Sequence, residues 1–175
     1  MNLINLVRAA IFSAVAIGLG FMFMLVPNVE FISVPIFLSG LTLGFSWGAA
    51  VGASSILIYS SLNPLGSGLV YFTLLLSQIL AMAIMGILGA VANRNIKNLS
   101  PLSQGISAGL YGFIGTLIYG IATNLAYPLS AGYSLKETFA YGISGILFTT
   151  MHLVSNTAIF SIVVPGFIQK IKNLR

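Results

Sequence analysis

Few side chains in this sequence can do chemistry. There is one histidine, His152, two carboxylates, Glu30 and Glu137, and no cysteine. A lone imidazole without thiolates cannot assemble a zinc site, and no disulfide is possible. His152 has no carboxylate on its neighbouring turns and so makes a poor general base. It reads either as a neutral imidazole bonded to an adjacent helix or as a ligand contact. Both glutamates fall at the ends of apolar runs, where a solvated carboxylate is the default. Glu30 follows Pro27-Asn28, so its loop has a defined shape that can border a pocket entrance. What remains is amides, hydroxyls and tyrosines at helical spacing. Tyr141, Gly145, Thr149, His152 and Asn156 are separated by 4, 4, 3 and 4 positions and share one helix face. Gly112, Thr116, Tyr119, Thr123 and Tyr127 make a similar stripe, with Asn124 alongside. Gln78 lies about two turns below the outer end of its helix, under Tyr71. Such stripes either converge on a polar pocket or hydrogen-bond helices together. The amides of Gln78 and Asn124 have the most bonds to satisfy.

The elements that must position these groups follow from composition. Of 175 residues, 5% are charged and 58% are hydrophobic, and the mean hydropathy is +1.05. A soluble domain carries about 25% charged residues. The chain therefore reads as an all-α integral membrane protein. A span needs roughly 20 apolar residues, so six spans use about 120 and leave no room for a large extramembrane domain. No G-x-x-x-x-G-K-[ST] loop is present, which excludes ATP hydrolysis by that route. The seven basic residues are scattered without the stripe that nucleic acid requires.

Apolar runs extend over 6–26, 31–43, 49–62, 69–91, 105–126 and 138–164. Pro27-Asn28-Val29-Glu30, Gly44-Phe45-Ser46-Trp47-Gly48, the Asn63–Gly68 segment, Asn93–Asn98, Tyr127-Pro128 and Pro165 break or end them. Ala14-Val15-Ala16 lies inside the first run, so that run reads as a helix rather than a cleaved signal peptide. The two runs between Phe31 and Leu62 are short and could instead be one tilted helix. Charge decides between them. With six spans Arg8, Arg94, Lys97, Lys170, Lys172 and Arg175 share one side, and only Lys136 lies opposite, which predicts both termini on the cytoplasmic side. The expected architecture is a single domain over 1–175, a compact bundle of six transmembrane helices in a bacterial cytoplasmic membrane. No matched broken helices suggest an inverted repeat. Gly48/Gly52, Gly105/Gly109 and Gly86/Ala90 are small-residue pairs suited to close helix contact. Ala10 and Ala14, extended by Ala9 and Ala16, fit either internal packing or a docking face for a partner.

With these features in place, the chain resembles the substrate-binding S component of energy-coupling factor vitamin transporters over nearly its whole length. Ala10-x-x-x-Ala14 on the first helix, the Pro27-Asn28-Val29-Glu30 turn, and Asn63-Pro64-x-Gly66 followed by Gln78 carry the resemblance. It implies six helices with cytoplasmic termini and no catalytic, metal or cofactor site. It implies capture of a vitamin-like substrate outside, then toppling to deliver it. The implied partners are a transmembrane coupling subunit, docked on Ala10 and Ala14, and two ATPase subunits. By position it implies substrate contacts at Asn28, Glu30, Asn63, Gln78, Tyr119, Asn124, Tyr127, His152 and Asn156, the last two lying deepest. The start Met1-Asn2-Leu3 lacks the N-terminal histidine of the nickel and cobalt members. A pocket of amides, tyrosines and apolar walls suits cobalamin or a precursor first, then riboflavin or pantothenate. The competing expectation is a non-transport scaffold of the MreD-like cell-shape type, which predicts no small ligand. An intramembrane enzyme lacks the titratable groups it would need.

Overall fold

A computed structural model describes residues 3–66 and 68–173; Met1, Asn2 and Arg175, all invoked above, lie outside them. Every described element is helical: α1 (Leu3–Phe23), α2 (Ser33–Leu43), α3 (Phe45–Leu62), a single 3-10 turn (Gly68–Val70), α4 (Phe72–Ile96), α5 (Pro101–Ser130), α6 (Leu135–Ser144) and α7 (Ile146–Asn173). Five of these, α1, α3, α4, α5 and α7, are long and apolar enough to cross a membrane. Their outward faces are apolar, as lipid demands: Phe72, Leu76, Leu80 and Ile84 form an exposed stripe on α4.

The Phe31–Leu62 region is two helices, not one. Gly44 sits between them at φ 92°, a conformation that costs glycine nothing, and its N–H bonds back to the Gly40 carbonyl. α2 has 11 residues, so it is about 16 Å long against roughly 30 Å of hydrocarbon. It lies in the centre of the bundle, with every residue from Ser33 to Leu41 buried. Pro35 falls in its first turn, where no N–H is missed. Its polar groups bond inward, Ser39 Oγ to the Ile36 carbonyl at 2.6 Å and Thr42 Oγ1 to the Leu38 carbonyl at 2.7 Å.

Glycines set how closely α2, α3 and α4 approach. A Cβ on Gly40 would overlap the Gly86 carbonyl, one on Gly86 the Gly48 carbonyl, one on Gly52 the Met82 carbonyl and one on Gly89 the Phe37 carbonyl. The backbones therefore touch directly, which only small residues permit. The registers 48 with 86 and 52 with 82 make α3 and α4 antiparallel. On the other side of the bundle, Gly105 and Gly109 of α5 abut α7. A Cβ on Gly105 would stand 3.0 Å from the Ser161 carbonyl, which is the carbonyl that Pro165 leaves without its helical donor.

The chain alternates between two ends of the bundle. Arg8 of α1, Leu41–Leu43 of α2, Lys97 at the end of α4 and Lys172 of α7 border one cavity, and Phe12 meets Phe167 edge-on at 6.4 Å. The N-terminal part of α1 and the C-terminal part of α7 thus lie together. At the opposite end lie the loop around Glu30, the start of α4, the end of α5 and the start of α7.

Three expectations are corrected. α5 does not stop at Tyr127-Pro128 but runs to Ser130, because a proline in the last turn removes one hydrogen bond, and N–H groups of Ala131, Gly132 and Tyr133 satisfy the final carbonyls. The expected helix over 138–164 is instead two. It breaks at Gly145 (φ −87°, ψ 2°), and α7 continues through Pro165. α6 starts earlier than expected, at Leu135, because Ser134 and Glu137 form a capping box: Ser134 N and Oγ donate to the Glu137 carboxylate at 2.8 and 2.7 Å. Those bonds hold the Glu137 carboxyl below the usual carboxylate range.

Gly86→Ala is expected to lower stability by about 1–3 kcal/mol, because the added methyl forces α3 from α4. Gly18→Ala, where nothing lies within 4 Å, is expected to leave it unchanged. Thermal unfolding of both variants in detergent reads the difference.

Candidate functional site

The site is built where a loop is gripped by a helix. Pro27 and Asn28 occupy the centre of a turn closed by Val29 N–H on the Val26 carbonyl at 3.3 Å. Asn28 adopts φ 59°; asparagine tolerates this left-handed conformation better than most residues, and a turn with proline before it requires it. The turn sends the chain back into the bundle. Ser155 of α7 donates its hydroxyl to the Asn28 carbonyl, and His152, one turn earlier, places Nε2 3.0 Å from Glu30 Oε2. Two contacts one helical turn apart fix the loop on α7.

This overturns one sequence expectation: Glu30 is not a fully solvated carboxylate. His152, with no carboxylate on its own neighbouring turns, meets one from a distant loop. Their separation of 122 positions put the pair beyond any local spacing rule. The Ser155 hydroxyl is directed at the Asn28 carbonyl and the His152 carbonyl, not at the imidazole, so the arrangement is not a serine–histidine nucleophile.

A polar chain continues from this pair. Asn156, 1% exposed, places Nδ2 2.9 Å from Thr116 Oγ1 and 3.3 Å from His152 Nε2. The Tyr119 ring stands at 89° to the imidazole, centroids 6.5 Å apart. Gln78 Nε2 donates to Tyr119 Oη at 3.2 Å, and Ser60 Oγ donates to Gln78 Oε1 at 2.7 Å. Four elements, α3, α4, α5 and α7, and the loop at Glu30 are thereby linked.

Two cavities adjoin the chain. One, of about 140 Å³, is bordered by Asn28, Thr116, Asn124, Phe148 and His152 among others. The second, of about 310 Å³, is bordered by Leu74, Gln78, Tyr127 and Tyr141. Tyr119, Thr123 and Asn124 border both. Asn124 Nδ2 reaches Thr149 Oγ1 at 3.5 Å, and Pro128 has no N–H to give the Asn124 carbonyl four residues back. Tyr127 and Tyr141 border the second cavity and lie 5.7 Å apart between centroids; Tyr71 meets Tyr127 and Tyr133 meets Tyr141 edge-on at 5.2 and 6.5 Å. Three polar atoms around this region are buried without a partner: Asn28 Nδ2, Glu30 Oε1 and Asn156 Oδ1. A buried unsatisfied group of this kind costs about 1–3 kcal/mol.

Of the residues singled out from sequence, Asn28, Gln78, Tyr119, Asn124, Tyr127 and His152 border the cavities, and Glu30 and Asn156 bond to His152. Asn63 stands apart: its Oδ1 accepts from Leu65 N–H at 3.0 Å and shapes its own loop. Tyr141 joins the site from α6, although the break at Gly145 separates it from the stripe it was grouped with. Thr123, part of the α5 stripe, borders both cavities. Ser60 and Ser155 were missed, although Ser155 shares a face with His152 at i+3. Ser60 carries no local signal.

Ala10 and Ala14 are exposed, whereas Ala9, Ala16 and Gly20 are buried against the bundle. Ala9 and Ala16 therefore belong to internal packing and do not extend the outer surface. Gly18 continues the exposed pair one turn on.

The chain matches no family model, no curated protein and no solved structure.

Glu30→Gln and His152→Asn are each expected to destabilise by about 1–3 kcal/mol. The double variant is expected to lose less than the sum, with a coupling of about 1–2 kcal/mol. Equilibrium unfolding of the four proteins in one detergent measures that coupling.

Proposed function

We propose that this protein is a membrane-embedded substrate-capture subunit of the energy-coupling factor type, binding a vitamin-like solute at the end of the bundle that holds the Glu30–His152 pair. The observation that carries this reading is the pair of adjoining cavities sharing Tyr119, Thr123 and Asn124. They carry amides, hydroxyls and aromatic rings, the mixture that small-molecule sites use to orient a ligand between apolar walls. Unpartnered donors and acceptors on Asn28, Glu30 and Asn156 give such a ligand something to bond. A scaffold has no use for this end of the molecule, so the polar cavities favour capture over the MreD-like alternative.

In this reading the chain makes six passes, α2 being the short one, and the basic end faces the cytoplasm in accord with the positive-inside rule. Energy comes from a coupling subunit with two ATPases, since the chain has no phosphate loop. The exposed Ala10-Ala14-Gly18 strip of α1 is the docking face, where close approach of a second helix is unobstructed. The cavity volumes favour the smaller candidates, riboflavin or pantothenate, over a corrinoid, whose macrocycle and nucleotide loop exceed either space.

The test is mass spectrometry of small molecules retained by the protein purified from cells grown in rich medium. A stoichiometric vitamin-like compound is expected. Co-purification of cell-shape proteins, with the cavities empty, would favour the scaffold. With the ligand identified, Gln78→Leu is expected to weaken binding by about 1–3 kcal/mol, because the amide that borders the cavity bonds the ligand directly. Replacing Ala10 and Ala14 with leucine is expected to abolish uptake into cells while equilibrium binding to the purified subunit is unchanged.

A further inference from the structure

The opposite end of the molecule holds a cavity of about 570 Å³, formed where α2, α4 and α7 end and α1 begins. Arg8, Lys97 and Lys172 border it, with Asn98 and Thr42 between them. Neither side-chain carboxylate of the protein is at this end: Glu30 is with His152 and Glu137 with Ser134. The deeper wall is apolar and includes the edge-on pair Phe12 and Phe167.

Two ordinary explanations account for part of this. Lysines in the last turn of a helix complement its negative end, which suits Lys172 on α7 and Lys97 at the end of α4. Arg8 has no such reason, because it stands in the second turn of α1, near that helix's positive end. The positive-inside rule requires basic residues on one side of the membrane but not around one cavity. Arg94 and Lys170 satisfy that rule without bordering it. The convergence of three cations from three helices on a space with an apolar floor is what remains to be explained.

We infer that this cavity seats the headgroup of an anionic phospholipid, its phosphate between Arg8 and Lys172 beside Lys97, and its first acyl carbons against Phe12 and Phe167. Arg8 lies five residues into α1, about 7.5 Å from its start. An arginine this close to the end of a helix long and apolar enough to cross a membrane can reach the headgroup layer, where lipid phosphates lie. Basic pockets between membrane helices hold lipid headgroups in this way. The apolar floor distinguishes a lipid from free phosphate, which has no use for it.

The experiment is native mass spectrometry of the full-length protein, delipidated in detergent and titrated with phosphatidylglycerol or phosphatidylcholine. One phosphatidylglycerol is expected to be retained in preference to phosphatidylcholine. Arg8→Gln combined with Lys172→Gln is expected to lower retention about fivefold for each charge removed. Arg8→Lys with Lys172→Arg should keep it, and Arg94→Gln with Lys170→Gln should leave it unchanged. Equal retention of the two lipids overturns the inference. So does an equal loss in the Arg94/Lys170 pair, which would show general surface charge alone. Displacement of the lipid by millimolar inorganic phosphate would show that the cavity recognises free phosphate and not a lipid. Unfolding curves of the glutamine variants separate lost binding from lost structure.

Discussion

The bundle depends on direct contact between backbones at the meeting of α2, α3 and α4. Gly40, Gly48, Gly52, Gly86 and Gly89 leave no side chain between the helices, so carbonyl groups of one stand against the Cα atoms of the next. In lipid, burial of apolar area gives helices no reason to associate, and packing of this kind is the main attraction left. It also explains how an 11-residue helix can occupy the centre. α2 is too short to be anchored by both membrane surfaces. It is held instead by neighbours on nearly every side, with Phe37 inserted between Tyr111 of α5 and Phe160 of α7.

The short helix creates the candidate site. α2 is only 11 residues long, and the chain from Met24 to Ile32 that leads into it is not regular helix. Irregular backbone at that depth is tolerated only where protein satisfies it. The Pro27-Asn28 turn supplies one internal bond, and Ser155 and His152 hold the descending segment. Asn28 and His152 both take part in holding the loop and border the smaller cavity, whereas Glu30 and Ser155 only hold the loop. Asn124, Thr123 and Tyr127 on α5 border cavities without gripping the loop.

Much of this was legible from residue order. Apolar runs gave the helices, Pro27–Glu30 and Asn63–Gly66 gave the breaks, and the spacing of Thr116, Tyr119 and Thr123 gave the inner face of α5. The interruption read over Gly44–Gly48 marked the division of the second and third helices, but only Gly44 lies outside them and α3 starts at Phe45. What escaped the sequence was non-local. The Glu30–His152 contact depends on α2 being buried and short, which no window of sequence states. Hydropathy runs straight through Gly145, so the end of α6 was invisible, and the capping box at Ser134 moved its start. Prolines misled in the other direction: Pro128 and Pro165 sit inside helices because each falls where a missing N–H is tolerated. The Ala10/Ala14 pair was ambiguous until Ala9, Ala16 and Gly20 were seen to take the inward face.

The gathering of charge at one end has a mechanical side. A charged residue moved to the middle of the bilayer costs about 2.5–3.5 kcal/mol even on the lowest scale. Arg8, Lys97 and Lys172, together on one rim, would multiply that cost if the bundle rotated about its centre. The opposite end carries Glu30 beside His152, and Lys136 and Glu137 on the short helix α6. The rim of cations therefore favours keeping that end of the bundle at a headgroup layer.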